Sequence, residues 1–284
     1  MNFISSCYMN LYHYTNFAGL YGMLNGFDTE KHPYLTMWAT NASFLNDNSE
    51  YTFGEEISRK AFINYESEIG IPHDKCLFNG HGHSGVIKKD KLNALPYIVS
   101  FCMINNIASM WDMYSMNGNG VAIIIDGDKI KNIDSSVMSS PCIYCSDEND
   151  LLKHKALVEE MYNHYAHNMS YSSSGKVDPS IERIGRSWAL LHTMAPRVKH
   201  ISYVSECEYR LIKMGIDNPK FRIRKDMIIP YKEVYVPIDA VKGFIIGPTA
   251  DFDYMRLSLE MYLTSKGLSA LGQHIQKSEV PYRG

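Results

Sequence analysis

The chain has 284 residues, with 28 Lys and Arg against 31 Asp and Glu for a formal net charge of −3, and 45% of it is hydrophobic. That composition belongs to a folded globular protein, and the near balance of charge excludes a global positive field that would draw in nucleic acid or an anionic membrane surface. The six cysteines lack dense disulfide spacing, and apolar runs such as Val121 to Ile125 are far too short to cross a bilayer, so a cytoplasmic chain with reduced thiols and no membrane partner is expected.

Taken in chain order, Met9 to Tyr14 alternates bulky residues and predicts a strand, and Asn16 to Leu24 predicts a helix closed by Asn25-Gly26. Tyr34 to Thr40 is rich in β-formers, and Phe44 to Glu50 turns into a helix that Asn or Asp can cap. Ile71 to Lys91 reads as a loop rich in His, Gly and Lys. Pro96 to Cys102 follows as an apolar strand, Ala108 to Tyr114 as a helix, Gly118-Asn119-Gly120 as a turn and Val121 to Ile125 as a buried strand.

A short strand is expected near Cys142 to Tyr144, then helices from Asn149 to about Asn168 and from Pro179 to about Thr193, joined by a loop at Tyr171 to Gly175. Tyr209 to Met214 together with the preceding acidic pair, Glu233 to Pro237 and Gly243 to Gly247 predict late strands. Asp251 to Lys266 predicts a last helix with Leu257, Met261 and Leu263 toward the core. The pattern is α+β, and no linker separates two complete cores. We therefore expect a single domain over 1–284 with a helical insertion at about 147–200.

Glu206 and Glu208 stand out. On a strand, residues two apart share a face, so the pair can act on one ligand; with Arg210 two further on, the same spacing suits a surface Glu–Arg ladder. Paired carboxylates stabilise cation-like sugars in glycosyl chemistry. His13 between two tyrosines and Ser100 in an apolar strand each read first as structural groups that must satisfy a hydrogen bond. Trp111 and Tyr114 share a helix face with Met110 and Met113 nearby, which suits a core or an aromatic wall for a planar ring. Asn46, Asp47 and Glu50 read first as a helix cap and its acidic first turn, and second as binding residues. His73, Cys76, His81 and His83 fit no strong zinc spacing, and no metal is expected. The sequence has no phosphate loop GxxxxGK, no dinucleotide GxGxxG following a strand, no HExxH and no GxSxG. Lys220 to Lys225 is a basic stretch that reads either as a solvated strand or loop or as a guide for a polyanion.

The blocks LYHYT at 11 to 15, TMWAT and FLNDNSE at 36 to 50, IVSFC at 98 to 102, SMWDMYS and NGNGVAIIID to 126, ECEYR at 206 to 210, FIIGP at 244 to 248 and the terminal SEVPYR resemble a widespread bacterial family of unassigned function. Its genes recur beside defence and mobile-element genes. These blocks in turn resemble the ADP-ribosyltransferase superfamily, whose core is a split β-sandwich.

That resemblance implies NAD as substrate and no metal. His13 would contact the adenosine ribose side, Ser100 would support the nicotinamide riboside, Trp111 or Tyr114 would stack, and Tyr14, Thr15 and Asn46 would complete the NAD site. Glu208 would be the catalytic carboxylate and Glu206 would position or activate the acceptor. Ser-Phe-Cys stands where Ser-Thr-Ser is more usual. The implied role is that of a toxin or anti-phage effector modifying RNA, DNA or a translation protein, restrained by an antitoxin. An NAD glycohydrolase and a non-catalytic nucleotide sensor are the alternatives.

Overall fold

The computed structural model describes residues 9–47, 49–78, 95–168, 179–215, 218–224 and 226–281. The first half carries β1 (Asn10–Thr15), α1 (Phe17–Asn25), β2 (Tyr34–Asn41), α2 (Glu50–Glu68), β3 (Tyr97–Cys102), α3 (Ala108–Tyr114), β4 (Val121–Asp126) and β5 (Val137–Pro141). A middle part follows with β6 (Ile143–Cys145), α4 (Glu148–Leu152), α5 (Lys155–Asn163), α6 (Pro179–Met194) and β7 (Val198–His200). The last part holds β8 (Glu208–Lys213), β9 (Lys220–Arg224), β10 (Met227–Pro237), β11 (Val241–Ile246), α7 (Phe252–Ser265), α8 (Ser269–Gly272) and β12 (Ile275–Lys277).

Ten strands form one mixed sheet in the order β12-β11-β4-β1-β3-β2-β10-β9, with β8 paired to β3 and β5 paired to β8 off that path. All described pairings in it are antiparallel except β11 with β12. The architecture is thus mixed α+β with one large sheet. Its main core draws alternate residues from many strands, among them Leu11, Met37, Val99, Phe101, Ile123, Leu211, Val234 and Phe244. A second apolar cluster joins α2, α4, α5 and α6 through Ile57, Phe62, Leu151, Val158, Leu190 and Met194. The helices between 148 and 194 therefore pack against α2 rather than forming a separate body.

One strand is shared three ways. β8 runs along one edge of β3 from Tyr97↔Lys213 to Cys102↔Glu208. On the other edge, Tyr97 and Ile98 pair with Asn41 and Thr40 of β2, whereas Cys102 pairs with Tyr12 of β1. Between those pairings Val99, Ser100 and Phe101 have no ladder partner on that edge, so β1 and β2 part there and the sheet forks.

Two expectations are corrected. Leu257 and Met261 lie on the outer face of α7, 57% and 67% exposed, and the core side is Leu259 with Leu263; two apolar stripes fit the helical period and the sheet selects the other one. Glu206 is not in a strand. It ends a 3-10 turn over Ile201–Glu206, and Cys207 adopts a left-handed conformation, φ 43 and ψ 52, before β8 begins at Glu208. The loop expected at Tyr171 to Gly175 lies outside the described residues.

Candidate functional site

The acidic pair belongs to a buried cluster of five charges. Glu208 and Arg210 are two apart on β8 and share the face opposite Tyr209 and Leu211. Arg210 Nε donates to Glu208 Oε1 at 2.8 Å and Nη2 to Glu208 Oε2 at 2.8 Å, Nη1 donates to the Pro196 carbonyl at 2.8 Å, and Nη2 also meets Glu50. Lys199, delivered by β7, donates to Glu206 Oε2 at 2.7 Å and Glu208 Oε2 at 2.8 Å, and lies 3.5 Å from Glu50 Oε2. All five side chains are at most 8% exposed.

Local structure explains the convergence. Glu50 opens α2, where the helix dipole favours a carboxylate. α2 reaches the cluster because residue 54 is glycine: a Cβ there would stand 2.2 Å from the Ala195 carbonyl oxygen. The left-handed Cys207 swings Glu206 back so that both carboxylates reach the same ammonium, a result that strand periodicity alone does not produce.

Three carboxylates against two cations leave one negative charge in surplus when all are ionised. Burial works to neutralise Glu208, but Arg210 and Lys199 outweigh it and hold the carboxyl down to about 2. Burial likewise works to discharge Lys199, and Glu208 and Glu50 more than reverse it. Glu206 moves the other way. Burial, followed by the neighbouring Glu208 and Glu50, raises it against the pull of Lys199. Both Glu208 oxygens are engaged and so are both of Glu50, whereas Glu206 Oε1 has no protein partner among the described residues.

At the fork, His13 Nδ1 bonds the Ser100 carbonyl oxygen at 2.9 Å, filling the place of the missing ladder partner. The acceptor is a carbonyl, so Nδ1 carries the proton and Nε2 is left as an acceptor. Burial, and secondarily Arg222, lowers this imidazole to about 4, so it is neutral near pH 7. Burial, followed by the nearby Glu206, raises the Tyr114 phenol against an opposing pull from Asn46. Tyr114 is thus within electrostatic range of the acidic cluster, and Asn46 is exposed.

The other candidates read from the amino-acid sequence divide. Trp111 is fully buried and meets Tyr14 edge-on at 4.8 Å, so both belong to the core and neither offers a face to a ligand. Tyr14 also accepts from the Ile107 amide, and Thr15 packs its hydroxyl against Gly19 of α1. Ser100 stands opposite Arg210 across the β3–β8 ladder and is partly accessible. His73 and Cys76 are not joined into a metal-binding group among the described residues, and His81 and His83 lie outside them.

The basic stretch also resolves. Lys220, Arg222 and Arg224 share one face of β9 while Phe221 and Ile223, 63% and 79% exposed, face away. Lys220 is paired to Glu233 at 2.7 Å, Arg222 donates to Thr40 Oγ1 at 3.0 Å, and Arg224 donates to the Phe44 carbonyl. Lys220 is thus neutralised by a carboxylate, whereas Arg222 and Arg224 face inward with neutral partners; Lys225 lies outside the described residues.

Lys199 and the inward turn of Arg222 and Arg224 are site features that sequence reasoning missed, and Glu50 reads as a binding residue only second to its role as a first-turn acid. The one signal for the arginines is the alternation Lys-Phe-Arg-Ile-Arg, which has period two but does not say which face looks in.

A mixed α+β protein with a forked sheet and a buried, net-negative charge cluster is thus defined. A family model described as a protein of unknown function, DUF2971, matches residues 110–211, the segment from α3 into β8 that contributes Tyr114, Lys199, Glu206, Glu208 and Arg210. Neither a curated protein nor a solved structure matches the chain. No helix among the described residues is long and apolar enough to cross a membrane.

Proposed function

We propose that the chain cleaves the glycosidic bond between nicotinamide and ribose in NAD and transfers ADP-ribose to a macromolecular acceptor. The observation that carries this reading is the single open carboxylate oxygen, Glu206 Oε1, in a buried cluster with one surplus negative charge. Departure of nicotinamide takes the bonding electron pair with it and leaves a cation-like ribose, which such a cluster favours. The forked sheet, with His13 at Ser100 and an acidic pair entering the neighbouring strand, supports the resemblance to ADP-ribosyltransferases.

The geometry divides the pair differently from what that resemblance implies. We assign the ligand-facing carboxylate to Glu206, which takes a ribose hydroxyl as hydrogen-bond donor while the cation develops. Glu208 is a positioning residue, locking Lys199 and Arg210 so that Glu206 is held in place. An acceptor oxygen or nitrogen then bonds to the anomeric carbon and gives its proton to solvent or to Glu206.

Exposed apolar residues favour a macromolecular acceptor over water: Met113 and Met116 flank Tyr114 in sequence, and Ile201 and Val204 lead into Glu206. A toxin or anti-phage effector modifying RNA, DNA or a translation protein, held in check by an antitoxin, is the biological role proposed.

Incubation of the purified chain with labelled NAD and cell lysate, followed by nuclease or protease treatment, tests this. Nicotinamide release with label in a polymer is expected, and Glu206→Gln should slow it by about 100-fold or more, the worth of one preorganised charge-stabilising group. Free ADP-ribose without labelled polymer would make the chain a glycohydrolase, and tight NAD binding without nicotinamide release would make it a sensor. Undiminished turnover by folded Glu206→Gln protein would remove the assignment.

A further inference from the structure

Arg222 and Arg224 differ from the other inward-facing cations near the fork in having no carboxylate partner among the described residues. Arg222 is held by its hydrogen bond to Thr40 and by the ring faces of Trp38 and Tyr231, 5.1 and 5.9 Å from its Cζ. Its Nε is buried with no hydrogen-bond partner among the described residues. Arg224, two residues on and on the same face, keeps one bond to the Phe44 carbonyl. Burial, then the neighbouring Arg224, lowers Arg222 to about 10, which still leaves it charged near neutral pH. Both arginines are half-buried; a partly desolvated guanidinium without a counter-charge is costly, and two side by side suit an anion that arrives from outside.

We propose that Arg222 and Arg224 together seat the pyrophosphate bridge of a dinucleotide, an inference that rests on the NAD reading given above. Two guanidinium groups match the two negative charges of that bridge, and their planar forks suit phosphoryl oxygens. The surroundings fix which way such a ligand lies. Arg222 is within electrostatic range of His13, whose neutral ring offers Nε2 to a ribose hydroxyl without repelling the arginines. Arg224 is within electrostatic range of Tyr114, and Tyr114 of Glu206. The anionic middle of the ligand therefore meets the arginines while its cationic nicotinamide end lies toward the surplus carboxylate.

Calorimetric titration with inorganic pyrophosphate, at low and high salt, tests the seat without any glycosidic chemistry. The wild-type chain should bind pyrophosphate more tightly than inorganic phosphate, and Arg222→Ala and Arg224→Ala should each weaken binding by about 10- to 100-fold, the loss of one charged hydrogen-bonding partner. Arg222→Lys should recover part of it, and Phe221→Ser, on the outward face of the same strand, should change nothing. Thermal melting of Arg222→Gln beside Arg222→Ala separates loss of the seat from loss of the fold.

Pyrophosphate binding that is absent from the wild type, or unchanged in both arginine variants, overturns the proposal. So does binding of a single-stranded RNA that depends on Arg222 in a chain that ignores pyrophosphate. If pyrophosphate binds as expected but NAD releases no nicotinamide, the seat stands and the transfer reading falls. If nicotinamide release is intact and indifferent to both arginines, the reverse holds.

Discussion

Around Lys199 and Arg210, cations and carboxylates answer one another at 2.7 to 3.5 Å; around Arg222 and Arg224, two cations face aromatic rings, a hydroxyl and a carbonyl. The first group is nearly self-sufficient and leaves over a single carboxylate oxygen. The second is incomplete by two charges. Stability and binding divide along this line: buried pairs that satisfy each other hold the fold, whereas a charge left without a counter-charge marks where something else is to fit.

The largest effect is expected at Arg210. Arg210→Met strands Glu208 and Glu50 in a buried site and should cost about 3–5 kcal/mol in denaturant unfolding, while Arg222→Met should leave stability unchanged or raise it. A stability loss as large for Arg222 as for Arg210 would erase the distinction.

Next comes the acidic pair itself. Glu208→Gln gives up a two-bond guanidinium contact and an ammonium contact, and should lower stability by about 1.5–3 kcal/mol, the worth of hydrogen bonds to charged groups. Glu206→Gln keeps a neutral acceptor for Lys199 and relieves a carboxylate already raised by burial, so it should cost less than about 1 kcal/mol while losing turnover. Measured melts in the opposite order would return the ligand-facing role to Glu208.

Acid separates the two regions by pH window. His13 is lowered from 6.5 to about 4, so the unfolded chain takes up a proton that the folded chain refuses, and stability falls as pH drops from 6.5 toward 4. Glu208 is lowered from 4.5 to about 2, so its contribution, complete above 4.5, is lost as pH drops below that toward 2. His13→Asn should flatten the upper window alone; a variant that shifts both would show that the path from His13 through Ser100 to Arg210 couples the two groups. The smallest effect is expected from Thr40→Val, which removes one neutral partner of Arg222 and should cost about 1 kcal/mol or less while loosening pyrophosphate binding.

Local patterning made much of this legible. The strands at 10–15, 34–41, 97–102 and 121–126 and the helix at 108–114 follow from β-formers, periodicity and turn residues that act over short spans. The fork was not legible, because it depends on which of two strands takes each end of β3, a long-range choice. Lys199 in Val-Lys-His carries no mark of burial, and Glu50 reads as an ordinary first-turn acid of its helix; both matter only because α2 and β7 meet at β8. The Glu-x-Glu spacing pointed to convergent carboxylates for a reason that does not hold. The strand begins only at the second glutamate, and a left-handed cysteine does what strand alternation was expected to do.

The rung that His13 supplies at Ser100 makes the middle of the sheet an unusual kind of seam. Ladder bonds keep a strand closed to water, but a side-chain rung swings away on a single torsion, so the centre of β3 is where exchange is expected to be faster than at its two paired ends. A ligand that draws the imidazole toward itself must leave the Ser100 carbonyl to water or take it over, and hydrogen exchange near Ser100 would then report occupancy of the fork from within the core of the molecule.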